Sequence, residues 1–350
     1  MNDIEKIVEN TIIHNWARHF KHPTTQFNKL HESDAELIKL YQDSNNYLAI
    51  TIDTIAEEIT TGLYQDPYTM GWITVMANLS DLAAVGSTPL GLVISVSVES
   101  SRDEKFINQV AEGMETACRT MNTFILGGDT NITPATALTA CAFGLVPRNE
   151  ALTRRGCKAG DSVFITGGLG TGNALALCRM AKLPDKYFPE QLYRPVAQIK
   201  EGLILRKYAS CCMDTSDGLL ATLDQLMRIN GVGFEVNCDW NTILAPEVIK
   251  FCEQTKTPSW LMIAGPHGEF KLLFTVLADK EKELLATNKN LYFIKIGTVK
   301  QTPDISLILP NKKSVNIDVT PLRNMLHNVQ GDFQHYIQEF RTLGKKWGLE

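Results

Sequence analysis

The chain contains no apolar run near the roughly 18 residues of a membrane span, and its start, Met1-Asn2-Asp3-Ile4-Glu5-Lys6, has no basic segment leading into an apolar one. Both absences predict a cytoplasmic protein with no membrane partner. A basic tract is also missing: 34 Lys+Arg face 39 Asp+Glu, for a formal net charge of −5. That balance excludes the electrostatic footprint of a nucleic-acid binder. None of the eight cysteines forms a C-x-x-C pair, and most sit in apolar runs such as Leu138-Thr139-Ala140-Cys141-Ala142-Phe143, so neither a disulfide frame nor a zinc site is expected. All seven histidines fall outside residues 32–266, which removes a His-centred metal site from the middle of the chain. Walker and G-x-G-x-x-G loops are absent as well.

What is present is a 350-residue chain, 44% hydrophobic and 21% charged. That suits packed domains, and because single cores stop growing near about 250–300 residues, two are expected. The turn-rich Pro147-Arg148-Asn149-Glu150 sets the boundary between 1–150 and 151–350. In the first part a helical arm precedes a strand at 47–53, an Ala/Leu-rich helix at 70–85, a strand at 90–98, a helix at 105–121, a short strand at 123–126 running into Gly127-Gly128-Asp129-Thr130, and a strand at 136–146. In the second, a strand at 162–166 leads through a glycine loop to a helix at 173–181. A helix near 195–207, a strand at 211–213 and a helix at 219–229 follow, then further alternation and a helical tail. The class is α/β or α+β.

Acids collect at the tips of apolar elements: Asp53, Asp81, Asp129, Asp214 and Asp217, with Asp34 as a sixth. Any one alone fits an N-cap or a turn. Together, with only Arg102 and Lys105 as basic residues between Asp53 and Arg119, they would be costly to desolvate without a cation. Oxygen-only ligands spread over several loops favour Mg²⁺, Mn²⁺ or Ca²⁺, and Mg²⁺ bridging carboxylates to polyphosphate points to phosphoryl transfer. The glycine loop Gly167-Gly168-Leu169-Gly170-Thr171-Gly172 stands between a strand and a helix, where a phosphate cradle or a plain tight turn would fit equally.

In order, Thr51-Ile52-Asp53-Thr54, Asn78-Leu79-Ser80-Asp81-Leu82-Ala83-Ala84, Gly127-Gly128-Asp129-Thr130 and Asp214-Thr215-Ser216-Asp217-Gly218-Leu219 resemble the motifs of thiamine-monophosphate kinases, in the aminoimidazole-ribonucleotide synthetase superfamily. The resemblance covers roughly residues 30–340. It implies an N-terminal α/β domain (1–150) that binds ATP and Mg²⁺ and forms an intersubunit sheet or barrel in a homodimer, and a C-terminal α/β domain (151–350). It further implies ATP, several Mg²⁺ ions and a small phosphorylated acceptor, with the γ-phosphoryl group passing in line to thiamine monophosphate. By position, Asp34, Thr51, Asp53, Asp81, Asp129, Asp214 and Asp217 match metal ligands, and Gly128, Asp129, Arg154 and Ser216 match ATP contacts.

The chain departs from the family in its first acidic motif, which of two aspartates keeps only Asp34, and on the acceptor side, where the C-terminal aromatic is kept. Glu32-Ser33-Asp34-Ala35-Glu36 stands where the family has Gly-Asp-Asp-Ala-Ala, and the family's substrate histidine falls at Thr60. A substrate glutamate falls at Gly268, beside Glu269, and the C-terminal aromatic at Phe333; His267 and Lys271 flank the changed positions. Two other readings follow. One is the superfamily's activation of an amide or carboxylate oxygen, the other a non-catalytic nucleotide-binding dimer. The selenophosphate branch lacks its N-terminal Cys-Lys and the hydrogenase-maturation branch its C-terminal Cys, since the last cysteine is Cys252.

Overall fold

The eighteen residues from Pro67 to Ala84 (PYTMGWITVMANLSDLAA) form a helix that is buried on nearly every side. Asp66 starts it, its carboxylate accepting from the Thr69 amide at 3.0 Å, with Pro67 in the first turn where no amide hydrogen is needed. A helix apolar all round must sit inside a protein. This one lies between a five-stranded sheet and elements of the second half. The computed structural model describes residues 3–41, 44–237, 239–287, 290–309, 312–329 and 333–349.

In the first half the order is α1 (Val8–Ala17), β1 (Glu36–Lys39), β2 (Asn46–Thr54), α2 (Ala56–Thr60), α3 (Pro67–Ala84), β3 (Thr88–Glu99), α4 (Glu104–Thr120), β4 (Ile125–Thr133) and β5 (Ala137–Pro147). The sheet runs β1-β2-β5-β3-β4 and is antiparallel except for the β3–β4 pair, which α4 connects. It is open, with β1 and β4 as its edges, so no barrel closes within one chain. β5 alternates buried and half-buried residues, turning Leu138, Ala140, Ala142 and Val146 toward the core. α3 and α4 pack on the sheet and on each other so closely that a Cβ on Gly71 would lie 2.0 Å from the Val110 carbonyl oxygen. Elsewhere the sheet is uncovered: Ile52 is 68% exposed, and Phe124, Leu126 and Ile132 at β4 are exposed too.

The second half contains β6 (Ser162–Ile165), α5 (Thr171–Met180), α6 (Ile199–Leu205), β7 (Ala209–Asp214), α7 (Leu219–Asn230), β8 (Gly233–Val236), α8 (Trp240–Ile243), α9 (Pro246–Thr255), α10 (Trp260–Ala264), β9 (Leu272–Val276), α11 (Glu281–Thr287), β10 (Ile294–Lys300), β11 (Ile305–Ile308), β12 (Ser314–Ile317), α12 (Thr320–Val329) and α13 (Phe333–Lys346). Its seven strands run β12-β11-β8-β10-β6-β9-β7. β6 and β9 are buried throughout, and Phe164 and Phe274 stack with centroids 5.5 Å apart, as expected of strands covered on both faces. The fold is thus mixed α/β with two sheets. No helix among the described residues is long and apolar enough to cross a membrane.

β4 and β1 differ from the sequence expectation, and the short α2 was not expected. β4 does not stop at Leu126 but continues through Gly127-Gly128-Asp129-Thr130 to Thr133, because pairing with β3 holds the glycines extended. β1 forms from the segment that follows Asp34, zipped to β2 from Glu36↔Ile50 to Lys39↔Tyr47.

Candidate functional site

α3 carries three polar side chains on its last turns, two of which hold β2 and one β7. Asn78 accepts from the Asp53 amide at 3.0 Å, fixing the end of β2, and donates to the Thr74 carbonyl at 2.9 Å. Ser80 donates to Asp214 Oδ2 at 2.7 Å, reaching the end of β7. Asp81 accepts from the Thr51 hydroxyl of β2. Residues 78 and 81 are three apart and share a helix face, whereas Ser80 points to the other sheet.

Three carboxylates meet at this junction. Oxygens of Asp34, Asp81 and Asp214 lie within 4.8 Å of one another. Asp34 is anchored by Arg154, whose Nη2 is 2.9 Å from Oδ1, while Asp34 Oδ2 is buried with no hydrogen-bond partner. Arg154 therefore grips the acidic cluster from behind, and its amide donates to the Glu32 carbonyl at 2.8 Å. Ser216 donates its hydroxyl to Asp214 Oδ1 at 2.8 Å.

The electrostatics are those of acids short of counter-charge. Burial first, then Asp214, Asp53 and Asp34, raise the Asp81 carboxyl well above its ordinary value. Burial and then Asp34 push Asp214 up to about 6, against the opposing hydrogen bonds from Ser80 and Ser216. Asp53 is pushed up to about 7, by burial and then by Asp214 and Asp217. A divalent cation bound by oxygen would remove this penalty, and the bare Oδ2 of Asp34 offers it a lone pair. The donor set fits Mg²⁺ better than zinc or copper, since no sulfur or imidazole belongs to the cluster.

Next to the cluster opens a cavity of about 680 Å³, with Asp53, Ser216 and Asp217 on its wall. Arg179 and Lys182 also line it. So does Glu58, half-buried, whose carboxyl is raised chiefly by burial. Tyr64 and Tyr193 stack at 6.0 Å, and the Tyr193 hydroxyl donates to the Gly268 carbonyl at 2.8 Å. Arg179 is held by Asp185 at 2.7 Å and Glu190 at 2.9 Å, leaving its Nε buried and unpartnered. His267 lies on the wall as well, and burial lowers its imidazole to about 4, so it is neutral at pH 7.

The structure brings together Asp34, Thr51, Asp81, Arg154, Asp214 and Ser216, with Asp53 and Asp217 on the adjoining wall. It does not bring Gly128 and Asp129 there. Asp53 pairs with Ala140, Ala140 with Ile94 and Ile94 with Gly128, so Asp129 sits three strands away, roughly 14 Å at the usual strand spacing. It is exposed, and its Oδ2 accepts from Asn131 at 2.7 Å.

The acceptor-side expectations divide as well. Thr60 is exposed, its hydroxyl bonded to the Ala56 carbonyl at 2.7 Å, and Glu58 and Thr61 line the cavity in its place. Gly268 lines the cavity by backbone alone: a Cβ there would lie 1.5 Å from the Thr215 carbonyl oxygen, so no side chain can stand at that position. Glu269 turns away. Its Oε1 accepts from the Gly170 and Gly172 amides at 2.8 and 3.1 Å, so the glycine loop is filled by a carboxylate of the chain itself. Phe333 begins α13, and its side chain lies outside the described residues. Sequence reasoning missed Glu58, Tyr64, Arg179, Lys182 and Tyr193; of these, only Glu58 was near a position it had singled out.

The first half, residues 32–146, matches the family of AIR synthase related proteins, N-terminal domain. A thiamine-monophosphate kinase of Methanocaldococcus jannaschii is 31% identical over 285 residues, which span 77% of this chain and 86% of that protein. Among solved structures, AaThiL complexed with AMPPCP and TMP superposes with a TM-score of 0.72 at 23% identity, over 87% of this chain and 94% of the other. HypE of E. coli, a hydrogenase maturation protein, superposes with a TM-score of 0.66 at 19% identity, over 89% of this chain and 96% of its own. The last two are likenesses of fold.

Proposed function

The chain belongs to the thiamine-monophosphate kinase family within the AIR-synthase-related superfamily, and from that premise we propose that it is an ATP- and Mg²⁺-dependent phosphotransferase acting on thiamine monophosphate or a related small acceptor. The observation that carries this reading is the junction of Asp34, Asp81 and Asp214, three carboxylates against one guanidinium, beside a cavity of about 680 Å³.

Asp34, Asp81, Asp214 and, on the cavity wall, Asp53 and Asp217 would hold Mg²⁺, with Thr51 oriented by Asp81. Bound there, the metal would neutralise the charge of the phosphates and of the group in flight. The chain's own residues supply the rest. Asn78 and Ser80 hold the ends of β2 and β7 at a set distance, which keeps the acids in register without a covalent intermediate. Ser216 presents its hydroxyl at the cavity wall for an ATP contact, and Arg154 fixes the orientation of Asp34. The acceptor enters beside Glu58, Tyr64 and Tyr193, which encloses it away from water.

A homodimer completes this reading. β4 is an edge strand exposed on both faces, and Phe124, Leu126 and Ile132 give it an apolar surface. Pairing of that surface with a second copy would form the intersubunit sheet and carry Asp129 and Gly128 to the partner's acids, with residues 1–150 as the nucleotide and dimer domain and 151–350 as the acceptor-side domain.

The test is an ATP-consumption assay with Mg²⁺ against thiamine monophosphate and a panel of small phosphates and alcohols. Mg²⁺-dependent turnover with one phosphorylated acceptor supports the reading. Binding of an ATP analogue that is indifferent to Mg²⁺, with no turnover of any acceptor, would sink it in favour of a nucleotide-binding dimer.

A further inference from the structure

The segment 268–271 is a wall with two sides. Gly268 and Phe270 face the cavity beside the acids, whereas Glu269 and Lys271 face a second cavity of about 720 Å³ behind the glycine loop. Nothing in the proposed reaction uses this second space.

Its chemistry centres on Lys271. The ammonium is half-buried and makes no ion pair among the described residues; the carboxylates it senses, Glu269, Glu201 and Glu247, stay beyond salt-bridge reach. Glu269 is held in place by Oε1, which accepts from the Gly170 and Gly172 amides, and it forms no ion pair with Lys271 among the described residues. A positive charge at the edge of solvent with no partner is an opening for an anion. The Thr171 hydroxyl and the Asn241 amide line the same space, and neither has a side-chain hydrogen bond among the described residues. Arg194 adds a second cation at the wall, held in place by Asp66 at 3.0 Å. Two acids line the space as well: Glu269, and Glu247 in the first turn of α9.

We propose that this cavity is a second ligand site, separate from the acidic junction, that takes the phosphate group of a small phosphomonoester on Lys271, Thr171 and Asn241. An ammonium among hydroxyl and amide donors matches a group with several acceptor oxygens. The volume lies within the range of small-molecule sites and exceeds what a bare ion fills, which leaves room for the ester's carbon skeleton against Leu244 and Ile249.

The experiment is isothermal titration of the full chain in EDTA, where the acidic junction repels anions, with glycerol 3-phosphate and inorganic phosphate as probes. Saturable binding of glycerol 3-phosphate is expected, weakened about tenfold or more in Lys271→Met and severalfold in the shape-preserving Thr171→Val, and unchanged in Asp214→Asn. Tighter binding of the ester than of inorganic phosphate is expected as well. Full affinity in Lys271→Met, no saturable binding of either probe to the unaltered chain, or binding lost in Asp214→Asn but kept in Lys271→Met would each overturn the site. No turnover enters the measurement, so its failure is distinct from failure of the kinase reading.

Discussion

Ser80 on α3 and Asp214 at the end of β7 share a hydrogen bond of 2.7 Å that ties the helix of the first sheet to a strand of the second. Asp214 is 1% exposed, so its Oδ2 has no water to fall back on. Ser80→Ala leaves that oxygen unsatisfied and is expected to destabilise the metal-free chain by about 1–3 kcal/mol. Urea unfolding checks this, and an unchanged midpoint would mean that the bond contributes nothing.

Mg²⁺ is expected to stabilise the folded chain by mass action, by about 2.7 kcal/mol once the free ion reaches a hundredfold excess over its Kd. In Asp214→Asn, which removes one of the three clustered carboxylates, most of that gain disappears. Urea midpoints with Mg²⁺ and with EDTA decide the matter; equal gains in the two proteins would place the ion elsewhere.

Glu269 gives a pH dependence with a definite sign. Burial raises its folded-state carboxyl to about 7, against an ordinary value of 4.5. Between those values the folded chain keeps a proton that the unfolded chain has lost, so this contribution is full below pH 4.5 and declines as pH rises through 7. Glu269→Gln keeps an oxygen for Gly170 and Gly172 and cannot ionise, so its stability from pH 5 to 8 is expected to be flatter than that of the unaltered chain. Parallel curves for the two proteins would show that Glu269 does not titrate in this window.

If Asp129 serves the partner's acids, inactive variants complement each other. Asp129→Asn and Asp81→Asn, each silent alone, would form mixed dimers with one intact site. Random mixing then restores about a quarter of the unaltered activity, because half the dimers are mixed and half of their sites work. Silence after refolding an equimolar mixture would confine Asp129 to its own chain.

Glu58→Gln is expected to raise KM for the acceptor severalfold with kcat and KM for ATP little changed, since the carboxylate lines the cavity and is not one of the three clustered acids. Steady-state kinetics in both substrates test this, and a fall in kcat alone would point to a role in the chemical step.

How much of this could be read beforehand depended on distance along the chain. The spacing of Asn78, Ser80 and Asp81, and the acids closing β2 and β7, are local patterns, and they survive as the centre of the site. Features set by remote partners were invisible. Glu269 fills the glycine loop from about a hundred residues away, so the loop looked free for phosphate. Asp34 owes its position to Arg154, 120 residues on. Gly127 and Gly128 signal a turn locally, yet pairing with β3 draws them into a strand and moves Asp129 to an open edge. At α2 the Thr60 hydroxyl bonds back to the Ala56 carbonyl, while Glu57, Glu58 and Thr61 line the cavity.

The grip of α3 on its surroundings also has a bearing on how such a chain changes over time. Gly71 lies against α4, and a Cβ on Gly202 of α6 would come within 2.1 Å of the Ala83 carbonyl, so the helix has no freedom to slide or roll. Much of the neighbouring cavity's wall, at 57–65 and 179–193, is instead built of loops, single turns and the end of α5. Substitutions there can alter what enters while the charge-handling centre stays put, so a lineage could exchange one acceptor for another without ever losing the means to hold a nucleotide.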